Sequence, residues 1–114
     1  MFDESGCLEC VNVNCCSTYL HEFKTEHFNY GEGREHGSTT TIEDGQVRVE
    51  TNKLHLKERK NPSSYRQGLK VTFYCEECEA ITVLTIAQHK GRSYFQRVED
   101  RTINKPTEEL YLIK

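Results

Sequence analysis

The sequence predicts a mostly β fold: an antiparallel sheet in one domain over residues 1–114, fastened by a cysteine site. Three observations carry that expectation. Two Cys-x-x-Cys pairs, Cys7/Cys10 and Cys75/Cys78, stand near opposite ends of the cysteine-containing region. Runs of β-branched and aromatic residues recur between turn signals. The apolar supply is thin, 35% of 114 residues with no tryptophan, and a core that small calls for a staple.

Residues 17–30 are rich in β-branched and aromatic types with partial alternation, and are expected to form a long strand. Gly31, Gly33 and Gly37 then punctuate an acidic loop. Strand-like runs at 39–43 and 46–50 flank Asp44-Gly45, a two-residue hairpin signal because a type I′ turn needs positive φ at both central positions. Residues 54–56 are read as an extension of this sheet, and 57–68 as a basic loop containing Pro, Ser and Gly. A strand at 69–74 leads into Cys75-Glu-Glu-Cys78. A second strand at 81–88 follows, Lys90-Gly91 turns the chain, and 93–98 returns it. Residues 108–113 are compatible with a closing strand or a short helix.

The cysteine pairs point to a metal. Zinc takes four soft ligands in a tetrahedron, and one tight Cys-x-x-Cys turn supplies two of them while aiming backbone N–H groups at the sulfurs. The favoured ligands are Cys7, Cys10, Cys75 and Cys78, holding one structural Zn2+. Cys10-x4-Cys15 is also an acceptable spacing, so Cys10, Cys15, Cys75 and Cys78 form the alternative quartet, and Cys16 is left without a role. A strand, a knuckle and a hairpin make a zinc-ribbon-like sheet. Here 64 residues separate Cys10 from Cys75, so an inserted β-hairpin region is expected between the two knuckles. Thioredoxin-like redox chemistry fits poorly, because Glu76, Glu77 and Glu79 would raise a neighbouring thiol pKa and a strand former follows Cys78. The opening residues show neither a basic n-region nor an apolar h-region, so the expected location is cytoplasmic, where metal is favoured over three disulfides. No run of apolar residues is long enough to span a membrane.

Net charge is −3, unevenly spread: residues 1–52 carry ten acidic and three basic side chains, and 53–114 carry eight and twelve. A basic surface is therefore available despite the acidic total. Its candidates are Lys57, Arg59, Lys60 and Arg66 in the basic loop and His89, Lys90 and Arg92 at the predicted hairpin tip. A solvated loop and a simple turn are the plain alternatives. His21 and His27 are expected on one face of the first strand, as ordinary surface histidines.

Residues 73–95, from Phe73-Tyr-Cys-Glu-Glu-Cys through Gln88-His-Lys-Gly, resemble the C-terminal half of uncharacterised bacterial and prophage zinc-ribbon proteins. Residues 10–19, Cys10-Val-Asn-Val-Asn-Cys15-Cys-Ser-Thr-Tyr19, are similar to the Cys-x4-Cys half of phage late-transcription activators of the Ogr/Delta type, in which the Cys-x-x-Cys pair comes first. These resemblances imply a zinc ribbon and lean toward nucleic acid. The sequence shows no phosphate loop or nucleophile motif, and four thiolates would leave no open coordination position. The expected function is a non-catalytic zinc-ribbon binding module acting on nucleic acid or a nucleic-acid-processing complex, with neither a membrane nor a small-molecule substrate as partner. The alternative is a protein–protein interaction module or inhibitor encoded by a phage or mobile element.

Overall fold

The computed structural model describes residues 1–30, 36–53 and 67–103. They form six strands: β1 (Leu20–Tyr30), β2 (His36–Glu43), β3 (Gln46–Lys53), β4 (Gly68–Cys75), β5 (Ile81–His89) and β6 (Arg92–Glu99). All pair antiparallel in one open sheet of order β3-β2-β1-β4-β5-β6. The fold is mostly β, and no helix occurs among the described residues, so none there is long and apolar enough to cross a membrane. Residues 54–56, the basic segment 57–66 and residues 108–113 lie outside the described residues.

The strand order follows from local pairing. β1-β2-β3 and β4-β5-β6 are each an up-and-down meander, and the two meanders join through their first strands. Asp44 and Gly45 have φ of 56° and 71°, and Lys90 and Gly91 have 49° and 77°, so both tight hairpins use the left-handed geometry of a type I′ turn. β2 starts earlier than its β-branched run implies. Gly37 lies inside it, paired with Tyr30 on one side and Asn52 on the other, because bonding to two neighbours outweighs a glycine's poor strand propensity. β1 starts later, at Leu20, because the carbonyls of Ser17 and Tyr19 are taken by the N–H groups of Cys10 and Glu76.

A bulge in β1 decides which side chains share a face. Register against β4 shifts between Glu22 and Lys24, so Phe23 is the extra residue. Phe23 packs against the small core of Tyr74, Ile81 and Val83, as does Ile103. The shift also separates the two histidines of β1. His21 pairs with Tyr74 and His27 with Leu69, residues on opposite faces of β4, so the expected shared face is not formed.

The Tyr74 face carries a cross-strand charge pattern, with Lys24 opposite Glu43 and Glu26 opposite Lys70. The other face is apolar at its centre, where Leu69, Val71, Phe73, Leu84 and Ile86 are half-buried. Towards its margins it opens to solvent: Ile42 is 47% exposed, Phe95 53%, and Val47 and Val49 64% each.

The Asp44-Gly45 turn gives a direct test of the hairpin geometry. A Cβ added at Gly45 would meet nothing within 4 Å, so any penalty comes from the backbone alone. Gly45→Ala is expected to destabilise the protein by about 1 kcal/mol, measured by denaturant unfolding.

Candidate metal centre

Both knuckles are set by backbone hydrogen bonds. Cys75 ends β4; its N–H donates to the Ala80 carbonyl at 2.9 Å and its carbonyl accepts from Glu79 N–H at 3.0 Å. Glu79 sits at φ 65°, which lets the four-residue turn close. In the first knuckle Cys10 N–H donates to the Ser17 carbonyl at 2.8 Å, pinning the loop at its base. Asn12 organises the interior. Its side-chain oxygen accepts from Asn14 N–H at 3.0 Å, and its carbonyl accepts from the N–H groups of Cys15 and Cys16 at 2.9 and 3.1 Å.

These turns bring Cys10, Cys15, Cys75 and Cys78 together, with all four sulfurs within 4.8 Å of one another. The Sγ–Sγ distances are 3.5 Å for Cys10–Cys78 and 3.7 Å for Cys15–Cys75. Metal–sulfur bonds of about 2.3 Å in a tetrahedron require sulfur–sulfur edges of about 3.8 Å, so the group has the size of a four-coordinate site. The same spacing is far beyond the roughly 2.05 Å of a disulfide bond, and all six cysteines are free. Cys10 and Cys75 are buried while Cys15 and Cys78 are half-buried, which leaves the site at the margin of the fold.

The structure places Cys15 where the sequence favours Cys7. A bridge between Phe2 and Leu8 folds the first residues into a loop, and Glu9 N–H donates to the Met1 carbonyl at 2.8 Å. Cys7 is committed to that loop, its N–H donating to the Asp3 carboxylate at 2.9 Å and its exposed Sγ lying 3.9 Å from Ser5 Oγ. Residues 7–10 therefore do not make the tight turn that a Cys-x-x-Cys knuckle requires. Cys16, at φ 53°, turns its sulfur outward onto the Val13 carbonyl at 3.0 Å.

The first knuckle is held on the sheet by two side chains with no signature in the sequence. Thr82 of β5, fully buried, accepts a hydrogen bond from Val11 N–H at 3.1 Å. Arg97 of β6 donates through one Nη to the carbonyls of Glu9 and Cys10 at 3.0 and 3.2 Å. Beside the second knuckle, His21 stacks on Tyr74 at 4.9 Å between ring centroids and meets the Glu76 carboxylate at 3.3 Å.

The thiols differ in acidity. Burial pushes Cys10 up to about 12, against the opposing effect of Asn12 N–H beside its sulfur. Cys15 is also raised: the Ser17 N–H lowers it, but burial and the thiols of Cys78 and Cys75 outweigh that interaction. Cys78 goes the other way: burial raises it, and the Ala80 N–H with the thiols of Cys10, Cys15 and Cys75 lowers it by more. A cation that takes all four sulfurs must displace the protons they still carry.

The predicted contact residues fall elsewhere. His89, Lys90 and Arg92 are exposed at the β5–β6 turn, at the opposite end of β5 from the cysteines and roughly 27 Å along the strand. Lys57, Arg59, Lys60 and Arg66 lie outside the described residues.

Two outcomes test this centre. Cys15→Ser is expected to abolish stoichiometric metal binding while Cys7→Ser keeps it, read by elemental analysis of the purified proteins. Because protons compete with the cation for sulfur, metal affinity must fall as pH falls. A chelator competition at about pH 6 is expected to give at least roughly hundredfold weaker binding than at about pH 8. No protein-family model, curated protein or solved structure matches the chain, so this group of four sulfurs is the chemical feature by which it is characterised.

Proposed function

We propose that the chain is a non-catalytic binding module whose sheet is fastened by one structural Zn2+ and whose far end contacts nucleic acid or a nucleic-acid-processing complex. The observation that carries the reading is the convergence of Cys10, Cys15, Cys75 and Cys78 at tetrahedral spacing. Soft thiolates in that geometry favour zinc, and four protein ligands leave no position for a catalytic water.

Charge polarity supports the choice of contact end. Four thiolates on a divalent cation leave about −2 at the site, and Glu76, Glu77 and Glu79 are exposed around the second knuckle. The opposite end of the sheet carries His89, Lys90 and Arg92. β3 stops at Lys53 and Gln67 precedes β4 at that same end, on either side of the stretch of sequence that holds Lys57, Arg59, Lys60 and Arg66. The Gln67 carbonyl accepts from Gln88 N–H at 3.1 Å, fastening Gln67 beside the turn. Phosphates are repelled from one end of such a molecule and attracted to the other.

Zinc-loaded protein is expected to bind mixed nucleic acid with an affinity that falls steeply with salt. Replacing Lys90 and Arg92 with Ala should flatten the plot of log affinity against log salt by about 0.7–0.9 for each phosphate no longer neutralised. Capture from host extract of a partner that survives nuclease, with no salt-dependent binding in the purified system, would overturn the nucleic-acid reading and favour a protein-interaction module. A chelator that removes the metal without lowering the melting temperature would overturn the structural role of the ion.

A further inference from the structure

β3 is an edge of the sheet, and among the described residues what blunts it is the charge of Arg48, Glu50 and Lys53. It contains no proline, no bulge and no register shift across eight residues. Residues 46–51 are exposed throughout, Val47 and Val49 by 64% each.

The hairpin geometry fixes which backbone groups the edge presents. A two-residue turn closes on a hydrogen-bonded pair, here Glu43 with Gln46. Gln46, Arg48 and Glu50 therefore direct their backbone N–H and C=O groups inward to β2. Val47, Val49 and Thr51 direct theirs outward. The side chains alternate in step: Val47, Val49 and Thr51 share one face, and Gln46, Arg48 and Glu50 the other.

We propose that β3 pairs with β3 of a second copy of this chain, antiparallel and centred on Val49, joining two sheets into one. Registers centred on an inward-facing residue also bring free backbone groups together, but centring on Arg48 or Glu50 sets that residue against its own copy, a like-charge pair, and centring on Gln46 or Asn52 runs off the strand, which leaves Val47, Val49 and Thr51 as centres. Centring on Val47 sets Asp44 opposite Glu50, a like-charge pair. Centring on Thr51 sets Glu50 opposite Asn52 and runs off the strand. Centring on Val49 makes Val49 exchange two backbone bonds with its copy and Val47 two with Thr51. Arg48 then stands opposite Glu50 of the other chain, twice by symmetry, in the non-hydrogen-bonded position where side chains approach most closely. The exposed valines meet across the junction and continue the apolar face that already includes Ile42. At the second edge, β6 centred on Phe95 opposes Tyr94 with Gln96, and centred on Arg97 it opposes arginine with arginine, so within the strand neither of these registers makes an ion pair. This pairing involves neither the cysteine site nor the β5–β6 turn, and so goes beyond the function proposed above.

The test is sedimentation velocity on the full, metal-loaded chain from roughly 1 μM to roughly 1 mM. The wild type should show a reversible dimer. Val49→Pro removes an outward N–H that β2 does not use, so the monomer should keep its circular dichroism and metal content while the dimer disappears. Glu50→Arg leaves the 3.7 Å Arg48–Glu43 pair intact and should weaken the dimer by about tenfold or more. Arg48→Glu should do the same, and combining the two reversals should restore association. A wild type that stays monomeric at every concentration overturns the proposal. So does a dimer that ignores Val49→Pro, or one that the combined reversal fails to restore. Unchanged metal content across the series keeps this outcome separate from that of the zinc reading.

Discussion

Four sulfur atoms must meet at one corner of this protein, and most of what is unusual in the fold serves that meeting. The donors come from two loops that the chain separates by the whole of β1, β2 and β3, yet the antiparallel pairing of β1 with β4 returns the second loop to the first. Leu20 lies opposite Cys75, so the first strand begins where the fourth ends. Thr82 and Arg97 then bind the first loop down by its backbone. That choice is consistent with a core in which Tyr74, Ile81 and Val83 are the central buried cluster. A sheet with so little apolar material beneath it gains a great deal from a cation that draws two loops together.

Placing the sulfurs at one end also polarises the molecule. Acidic residues of the second knuckle crowd the same end as the four cysteine sulfurs, and the hairpin cations occupy the other. The separation follows from strand length alone, since β5 runs from next to the knuckle directly to the turn. The margins of the apolar face complete the surface, with Ile42, Val47 and Val49 on one side and Phe95 on the other. Stability, electrostatics and exposed apolar surface therefore sit in different parts of one sheet.

Much of this was legible in the residues. Asp44-Gly45 and Lys90-Gly91 announced their hairpins because few residue pairs tolerate positive φ twice in succession. Cys10, Cys75 and Cys78 were legible from spacing. Cys7 was not separable from Cys15 on that basis, because the choice rests on the Phe2–Leu8 bridge and on hydrogen bonds gathered by Asn12. The bulge at Phe23 was equally hidden. It is a product of pairing with β4, and it reversed the expected placement of His27 relative to His21. Arg97 and Thr82 gave no signal, since an arginine and a threonine on strands look the same whether they face solvent or a loop carbonyl.

The long chain distance between the two knuckles has a consequence during synthesis. Cys10 and Cys15 leave the ribosome well before Cys75, with 64 residues between Cys10 and its distant partner. At about 5–20 residues per second, the first two thiols wait roughly 3–13 seconds for the other half of their site. Through that interval they are an accessible pair on an unfinished chain, open to oxidation or to capture of a cation in an incomplete shell. The sheet cannot protect them sooner, because β4 is both the strand that pairs with β1 and the strand that delivers the missing sulfurs.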